Sequence, residues 1–313
     1  MITVKGILKI LKDEGMFTLI RKIHDYFCNK EKKEYYQWIK FNTPSKRELS
    51  MQKKYTFRLR PKISIIIPLY NTPKQFLLEL IKSVQNQTYS NWELCLADGS
   101  TKPLSFLKKI IKKDSRIKYT ILKENKGISG NTNEALKLAT GDFIGLLDHD
   151  DIIPPNSLFE IVKTINENED VEYIFTDEDK FTDIRKKTRY EPNFKPDYSF
   201  DTLTSYNYIC HFSVFKKDLM DRLEGFKEEF NGSQDYDLIL RAVENSKKTI
   251  HIPKILYHWR VHPNSTAGNA ESKPYCYEAG KNAVQEHLKR KGYSQAKVEY
   301  GVAIVRNRVL YAV

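Results

Sequence analysis

The sequence predicts an α/β protein in which a mostly parallel β-sheet is flanked by helices. From residue 63 onward, short apolar runs alternate with amphipathic helical segments, which is the pattern of repeated βαβ units. The run 143–147 is apolar throughout and is bounded by turn residues, as expected for a strand buried on both faces of a parallel sheet. With 40% hydrophobic residues in 313, the chain can form the core that such a sheet needs.

Residues 1–41 are predicted to form basic amphipathic helices that precede the sheet. Apolar residues recur there at helical spacing with Lys and Arg between them, and Gly15 separates two predicted helices. Residues 1–62 hold sixteen Lys and Arg against six Asp and Glu, a balance of +10 out of the net +12. Two interpretations stay open, a segment lying on an anionic membrane surface or a helical hairpin packed on the main domain.

Composition and motifs disfavour several functional classes. The excess positive charge lies outside the predicted sheet, which argues against a nucleic-acid-binding protein. No apolar run reaches the length of a membrane span, and the four cysteines show no metal-ligand or disulfide spacing, so a cytoplasmic location is expected. The chain also has no phosphate-binding P-loop motif and no dinucleotide-binding glycine fingerprint, which argues against P-loop kinases and dehydrogenases.

The strands of the first half are expected to end at one edge of the sheet. They are predicted at 63–67, 92–97, 117–122 and 143–147. Helices are predicted from Thr72 as N-cap with Pro73 at the first position, at 103–113 and at 132–139. Polar segments follow the four strands, at 68–70, 98, 127–131 and 148–151. These segments should converge on one crevice, because α/β proteins bind ligands at the carboxyl ends of parallel strands.

In the second half, the alternation of strands and helices is less regular. Helices are predicted at 156–166, from 234 onward and at 274–291, and residues 181–200 are predicted to form a polar loop. Strands are predicted at 171–175, from 206 through 215, and once or twice within 298–310. The run 250–257 leads into a cluster of polar residues at 258–262.

Three carboxylates follow the apolar strand 143–147 directly: Asp148, Asp150 and Asp151. Asp148 and Asp150 could each hold a hard divalent cation by one carboxylate, leaving positions for water and substrate phosphates. The alternative is that these residues cap the helix that begins near residue 156. We favour the metal site, because a helix cap needs one carboxylate and not three.

Four motifs resemble those of family 2 glycosyltransferases, which have the Rossmann-like GT-A fold. In chain order they are Ile65-Ile-Ile-Pro-Leu-Tyr-Asn71, Leu96-Ala-Asp-Gly-Ser100, Leu147-Asp-His-Asp-Asp151 and Gly232-Ser-Gln-Asp-Tyr-Asp-Leu238. The resemblance covers roughly residues 61–263. It implies an inverting transfer of a sugar from a nucleotide-diphosphate sugar to a hydroxyl group, with Mg²⁺ or Mn²⁺ as cofactor.

The resemblance also implies roles for individual residues. Asp235 matches the catalytic-base position, where most members have Glu-Asp and this chain has Gln234-Asp235. Asp148 and Asp150 match the Asp-x-Asp motif that binds the diphosphate through the metal. His258 and His262 lie in a stretch similar to the segment that closes over the diphosphate, and either could reach the metal. The residues implied in nucleotide-sugar binding are Pro68, Tyr70, Asp98, Lys126, Asn131, Asp148 and Arg260.

Residues 177–180 and 206–211 resemble bacterial enzymes that build rhamnose-containing O-antigen or capsule polysaccharide. Such enzymes use lipid-linked oligosaccharide acceptors at the inner face of the cell membrane, where the basic N-terminal helices would suit a peripheral membrane protein. The donor stays open among dTDP-rhamnose, UDP-galactose and UDP-N-acetylhexosamine. Two other functions stay open: a non-catalytic glycan-binding or partner-binding module, and a sugar nucleotidyltransferase. The latter should have a Gly-rich, basic loop after the first strand, where this chain has 69–73.

Three segments are predicted from these patterns. Residues 1–60 form the helical extension, and residues 61–263 form the GT-A domain. That domain divides into a nucleotide-binding half, 61–151, and an acceptor half, 152–263. Residues 264–313 form a C-terminal helix and strands.

Overall fold

A mixed β-sheet flanked by helices forms the centre of the protein in a computed structural model. The structure describes residues 33–182, 188–262, 274–302 and 306–311, together with the single positions 11, 16 and 20. The helices predicted before residue 33 therefore lie outside the described residues, apart from those three positions, which are helical. Among the described residues, no helix has the length and apolar character needed to cross a bilayer.

The described strands form one eight-stranded sheet and a separate hairpin. The sheet order is β3-β2-β1-β4-β7-β5-β6, with β8 beside β5, and β9 pairs with β10. The strands are β1 (Ile63–Leu69), β2 (Trp92–Asp98), β3 (Ile117–Ile121), β4 (Phe143–Leu146), β5 (Tyr173–Phe181), β6 (Arg189–Asn193), β7 (Ser213–Lys216), β8 (Thr249–Arg260), β9 (Lys297–Tyr300) and β10 (Asn307–Leu310).

Helices cover both faces of the sheet. We number the helical residues 33–42 as α1. The others are α2 (Lys46–Lys54), α3 (Lys74–Gln85), α4 (Leu107–Ile111), α5 (Gly127–Lys137), α6 (Ser157–Glu167), α7 (Phe200–Ser205), α8 (Lys217–Arg222), α9 (Gln234–Asn245) and α10 (Pro274–Arg290).

The first half of the sheet is parallel, which confirms the predicted α/β class. Ile63 in β1 lies opposite Trp92 in β2 and Phe143 in β4, and all three strands run in the same direction. Every residue of β2 is buried, and β1 is buried except at Pro68. Burial on both faces explains why these strands are continuous apolar runs and not alternating ones. Their carboxyl ends meet at one edge, as the sequence predicts.

In the second half, two predictions about strands are wrong. The predicted strand 206–215 is a strand only from Ser213 onward, because the Lys195 side chain takes the carbonyl groups of Ile209 (2.5 Å) and His211 that a β-ladder would otherwise use. The predicted loop 181–200 contains β6, an antiparallel partner of β5. Its residues are half-buried or exposed, so β6 lacks the apolar pattern that reveals a strand.

Two helix starts also differ from the predictions. Thr72 is not the N-cap of α3, because that position belongs to Pro73, and the buried Thr72 hydroxyl makes no hydrogen bond. The predicted loop 127–131 is the first turn of α5. Gly127 adopts φ +73°, which lets the chain turn straight from β3 into this helix.

The extension packs on the sheet where the structure describes it. The Tyr35 hydroxyl donates to buried Asp179, and Phe57 belongs to the main hydrophobic core. Residues 33–60 therefore pack on the main domain, as one of the two interpretations expects. The division into segments at residue 60 stays a prediction. The interpretation as a membrane-surface segment stays open for residues before 33.

A buried carboxylate joins the strands at the amino end of the sheet. Glu93 in β2 accepts hydrogen bonds from the Ser64 hydroxyl (2.7 Å) and the Thr140 amide (2.5 Å). Lys118 lies 2.9 Å from its carboxylate. Burial by itself would raise the pKa of Glu93, but these donors outweigh it and lower the pKa from 4.5 to about 2. Glu93 thus connects β1, β2, β3 and the entry to β4 through its charged form.

We expect Glu93→Gln to lower the free energy of unfolding by about 1–3 kcal/mol at pH 7, because several donors lose a charged acceptor. Since the folded pKa of about 2 lies below the ordinary 4.5, the ionised form stabilises the fold above pH 4.5. That contribution disappears as the pH falls from 4.5 to 2. The natural protein and the variant should therefore differ less in free energy of unfolding at pH 3 than at pH 7, as measured by urea unfolding. Glu167→Gln, in an exposed pair with Lys163, is the control and should cost under about 0.5 kcal/mol. An equal difference at both pH values would contradict the assignment.

Candidate active site

The loops after β1 and β2 are joined into one wall of a cleft. The Gly99 amide donates to the Leu69 carbonyl (3.0 Å), and the Asn71 amide donates to the Ser100 hydroxyl (2.7 Å). Asn71 adopts φ +50°, a left-handed conformation that Asn tolerates better than most residues. These contacts place Pro68 and the exposed Tyr70 next to the loop that carries Asp98.

Asp98 lies at the carboxyl end of β2 and is 1% exposed. Its carboxylate accepts hydrogen bonds from the Ser100 amide (2.9 Å) and the Tyr119 hydroxyl (2.6 Å). Tyr119, in the neighbouring β3, was not among the predicted site residues, because a tyrosine inside a strand gives no sequence signal for this contact. Burial and then Asp98 raise the pKa of Tyr119, so it stays a neutral donor that orients the carboxylate.

Lys126 and Asn131 lie at the start of α5 but are engaged within the protein. The Lys126 ammonium is exposed and pairs with Glu134 (2.6 Å). The Asn131 amide group accepts from the Lys126 backbone N–H (3.0 Å) and donates to Asn125 (2.8 Å). Asn131 therefore shapes the turn before α5, and its predicted contact with a nucleotide sugar has no support in this arrangement.

Asp151 is the buried member of the acidic group after β4. One carboxylate oxygen accepts from the Arg260 amide (2.6 Å), and the other accepts from the Tyr257 hydroxyl (2.5 Å). Burial, followed by the charges of Asp150 and Asp148, raises the pKa of Asp151 well above its usual range. Asp151 therefore connects the loop after β4 to β8 and has no oxygen left without a partner.

Asp148 and Asp150 are less buried than Asp151, although the Asp150 side chain is only 14% exposed. The Asp148 side chain is 47% exposed, and His211 Nε2 lies 3.8 Å from its carboxylate. Asp150 lies 2.8 Å from His262 Nε2. Partial desolvation raises the pKa of Asp148 and the charge of Asp150 adds to this, while His211 opposes it. The structure thus places Asp148 and Asp150 after the carboxyl end of β4, with His262 beside Asp150.

His258 does not join this group. Its Nδ1 hydrogen-bonds to Asp179 (2.5 Å), which also binds Arg189 (2.5 Å) and Tyr35. Burial lowers the pKa of His258, although Asp179 opposes the shift. Burial would raise the pKa of Asp179, but His258 and Arg189 outweigh it and hold that pKa below its usual range. His258 therefore belongs to a buried polar cluster behind β8, and we remove it from the candidate metal ligands.

Arg260 is also placed differently from the prediction. It is 2% exposed, and its guanidinium donates to the Asp150 carbonyl (2.5 Å) and to Glu79 (2.8 Å). The rings of Phe76 and Phe181 lie 4.3 and 4.5 Å from it. This guanidinium therefore holds the backbone of the acidic loop in position and is not presented to a diphosphate.

Asp235 is the second residue of α9, in the first turn of that helix, and faces a cavity of about 690 Å³. One oxygen accepts from the Asn207 amide (2.9 Å), and among the described residues the other has no hydrogen-bond partner. His211, 3.8 Å from the Asp148 carboxylate, packs against the ring of Trp259, and Trp259 lines the same cavity as Asp235. The neighbouring Gln234 accepts from the Gly232 amide (2.9 Å), a contact that an amide makes as well as a carboxylate.

Other carboxylates near this cavity are bound to structural partners. Asp237 is fully buried and pairs with Arg241. Asp177 accepts from the Lys195 amide (2.9 Å) and contacts His251 (2.8 Å). Asp179 is the centre of the His258 cluster described above. Two other carboxylates line the cavity: Glu178 is bound to Lys195 and Asn193, and Glu191 pairs with Lys180. Asp235 lines the cavity without an ion pair among the described residues and keeps an oxygen available to accept a proton.

The buried Lys195 is a site residue that the sequence analysis missed. Its ammonium donates to the Thr176 carbonyl (2.7 Å), the His211 carbonyl and Glu178 (3.3 Å). Glu178 lines the Asp235 cavity, and His211 stacks on Tyr257. A lysine in a polar stretch has no sequence signature for this position, because its partners come from distant parts of the chain.

The acidic group fits a hard divalent cation. Asp148, Asp151 and His211 each offer a ligand atom within 4.8 Å of one another. The oxygens of Asp151 already have partners, so the accessible donors are the carboxylates of Asp148 and Asp150, beside the imidazoles of His211 and His262. Carboxylate oxygens are the ligands that Mg²⁺ and Mn²⁺ favour.

The fold and this cleft define a class of protein. A parallel α/β half with an acidic group at the end of β4, joined to a mixed half that carries Asp235, is the GT-A arrangement of glycosyltransferases. The family model named glycosyl transferase family 2 matches residues 64–224, about half of the chain. The chain therefore belongs to glycosyl transferase family 2.

Relatives of known sequence agree with this family. The chain is 31% identical over 283 residues to the O-antigen biosynthesis protein RfbC of Myxococcus xanthus, covering 90% of this chain and 22% of that protein. It is 42% identical over 235 residues to an uncharacterised protein of Sinorhizobium fredii, covering 74% of this chain and 26% of that protein. The chain thus spans about a quarter of the length of these two curated relatives.

Solved structures show the same fold at low sequence identity. S. aureus TarS superposes with a TM-score of 0.56 at 21% identity, covering 73% of this chain and 43% of that one. A mannosyltransferase from Pyrobaculum calidifontis, solved with GDP-Man and Mn²⁺, gives a TM-score of 0.53 at 17% identity over 78% of this chain and 69% of that one. These similarities support the predicted GT-A fold.

We expect Arg260→Lys to lower the free energy of unfolding by about 1–3 kcal/mol, because a lysine cannot bind the Asp150 carbonyl and Glu79 together. Arg58→Lys is the matched control, since its pair with Glu169 is more than 60% exposed on both sides and should contribute under about 1 kcal/mol. Chemical denaturation of both variants measures the difference. If both variants lose the same amount of free energy of unfolding, Arg260 does not hold the acidic loop in position.

Proposed function

We propose that this chain is a metal-dependent, inverting glycosyltransferase that moves a sugar from a nucleotide-diphosphate sugar to a hydroxyl of a glycan. The observation that carries this proposal is Asp235, which has an available carboxylate oxygen in a cavity that His211 and Trp259 connect to Asp148. An inverting transfer needs one base on the acceptor side and charge neutralisation on the donor side. The two halves of the cleft supply these separately.

On the donor side, Pro68, Tyr70 and Asp98 are proposed to hold the nucleotide. Tyr119 fixes the Asp98 carboxylate, which keeps lone pairs for a base N–H. UDP-GlcNAc and GDP-Man are bound in the solved structures of TarS and the Pyrobaculum mannosyltransferase, which supports a nucleotide sugar as ligand. The sugar itself stays open between dTDP-rhamnose and UDP-linked sugars.

On the acceptor side, Asp235 is proposed to accept the proton of the attacking hydroxyl. Asn207 donates to one carboxylate oxygen and so directs the other toward the cavity. Aromatic side chains line the same cavity: Tyr206, Trp259, Tyr277 and Tyr300. An aromatic lining with a few convergent polar groups is typical of a site for a ligand with apolar faces and polar edges, such as a sugar ring.

The proposed cofactor is Mg²⁺ or Mn²⁺, held by Asp148 and Asp150 with His262 beside them. A bound divalent cation would neutralise charge on the departing diphosphate. Asp151, Tyr257 and Arg260 position these ligands through the contacts described above. The protein's own contribution is therefore a fixed backbone under two accessible carboxylates.

The proposed acceptor is a lipid-linked oligosaccharide at the inner face of the cell membrane. A relative from Campylobacter jejuni, 32% identical over 56% of this chain and 57% of that protein, is named as a glucosyltransferase acting on an undecaprenol-linked glycan. Residues 1–32 contribute +3 and the packed segment 33–62 contributes +7 to the balance of +10, so the basic side chains of both parts together support a peripheral position on an anionic membrane. Sedimentation of the full chain with phosphatidylglycerol vesicles tests this position, and protein remaining in the supernatant would contradict it.

We expect Asp235→Asn to slow transfer by roughly 10²–10⁴-fold, because an amide cannot take the acceptor's proton. The new side chain can still accept from Asn207, so the free energy of unfolding should fall by at most about 1 kcal/mol. Donor affinity should be unchanged. Asp218→Asn, at the exposed start of α8, is the control and should keep full activity. Steady-state rates and donor titrations measure these effects, and near-normal turnover of Asp235→Asn would show that another group is the base.

We expect Asp150→Ala to abolish transfer and the stabilisation of the protein by Mn²⁺. A ligand at a hundredfold excess over its Kd stabilises the folded state by about 2.7 kcal/mol, which a thermal-shift assay detects. Asp170→Ala removes a carboxylate that is 66% exposed and pairs with Lys248, so it should change neither property. Full activity in excess EDTA would contradict the metal dependence.

A further inference from the structure

A groove behind β8 is separate from the proposed transfer site. It encloses about 1000 Å³ between α1, α3, the segment 152–155 and the strands β5 and β8. Its lining is mainly apolar: Ile39, Leu78, Ile152, Ile153, Pro154 and Phe181. Leu78 on α3 is 38% exposed, so part of this apolar surface faces the solvent.

The groove and the Asp235 cavity lie on opposite faces of the sheet. Phe181 and His258 line the groove, whereas their chain neighbours Lys180 and Trp259 line the Asp235 cavity. Successive side chains of a strand point to opposite faces, which explains the division. A sugar that reacts beside Asp235 therefore cannot lie in the groove at the same time.

Two lysines border the groove on α3. Lys74, Leu78 and Lys82 are spaced four residues apart, so they follow one face of the helix over about 12 Å. In the part of the chain that the structure describes, neither lysine has a carboxylate within ion-pair distance. Glu79 in the same groove is bound to Arg260, and Arg189 is bound to Asp179. The Lys74 ammonium lies 5.4 Å from the centre of the Phe106 ring, and the Lys82 ammonium is exposed. The groove thus combines an apolar floor with two cationic side chains at its border.

Exposed apolar side chains continue this surface onto α1 and α2. Phe41 is 86% exposed, Met51 61% and Tyr55 60%. They line a neighbouring cavity that shares Thr43, Pro154, Pro155 and Arg189 with the groove. Apolar and aromatic residues interspersed with lysines are typical of protein surfaces that lie in a membrane interface.

We propose that the groove binds an acyl chain of an anionic phospholipid, with the lipid phosphate between Lys74 and Lys82. The apolar floor complements an acyl chain, and the two exposed ammonium groups at the border of the groove complement an anionic headgroup. We commit to a bilayer phospholipid because the sheet separates the groove from the site of the reacting glycan. This lipid site goes beyond the transfer reaction and does not require it.

The test is sedimentation of the full chain with phosphatidylglycerol vesicles and with phosphatidylcholine vesicles. The double variant Lys74→Glu/Lys82→Glu and the single variant Leu78→Glu should each weaken binding to phosphatidylglycerol by at least about tenfold. Lys108→Glu/Lys109→Glu changes the charge equally on the exposed face of α4 and should have little effect. Equal losses in the two double variants, or unchanged binding of Leu78→Glu, would overturn the proposal.

Two further measurements distinguish a bilayer lipid from other occupants of the groove. A third separates lipid binding from the transfer reaction. If the groove variants keep vesicle binding but raise KM for a polyprenyl-linked acceptor, the occupant is the acceptor and the proposal is wrong. If Leu78→Glu lowers Tm strongly without vesicles, a segment of this chain occupies the groove, which also contradicts it. The Asp235→Asn variant should bind vesicles like the natural protein, so failure of the proposed transfer would leave this test intact.

Discussion

The contact of Asp151 with β8 holds the two halves of the protein in one arrangement. Its carboxylate accepts hydrogen bonds from the Tyr257 hydroxyl and the Arg260 amide, so the loop after β4 cannot move independently of β8. A buried carboxylate with both oxygens satisfied is costly to disrupt, because any displaced donor or acceptor would stay without a partner. Asp148 and Asp150 directly precede this fixed residue in the chain, so the contact also limits the movement of their backbone.

Buried polar clusters support the cleft from behind in the same way. Asp179 binds Tyr35, Arg189 and His258. Lys195 binds the carbonyls of Thr176 and Ile209 and the carboxylate of Glu178, which lines the Asp235 cavity. The charged groups of each cluster are buried and bound to neighbouring groups, so they are not available to ligands. Few carboxylates near the cleft stay accessible among the described residues. Accessibility is therefore a stronger argument for Asp235 than its position in a motif.

Part of the site could be predicted from short-range patterns, and part could not. The convergence of Tyr70, Asp98 and Asp148 follows from parallel strands, whose carboxyl ends must meet. The placements of His258 and Arg260 could not be predicted, because they depend on which face of β8 each side chain occupies and on partners in β5 and α3. Register shifts between β5 and β8 near Asp177 interrupt the regular alternation of faces along the strands. The face that each side chain occupies therefore cannot be obtained by counting residues in the sequence.

By itself the sequence determined the α/β class, the parallel first half and the acidic group after β4, because continuous apolar runs and turn residues are local properties. It also determined the family through four short motifs. Only the tertiary structure decided which carboxylates keep an available oxygen, that His211, Tyr119 and Lys195 belong to the site, and that a second groove lies behind β8. Those outcomes depend on contacts between residues far apart in the chain, and such contacts leave no periodic signal.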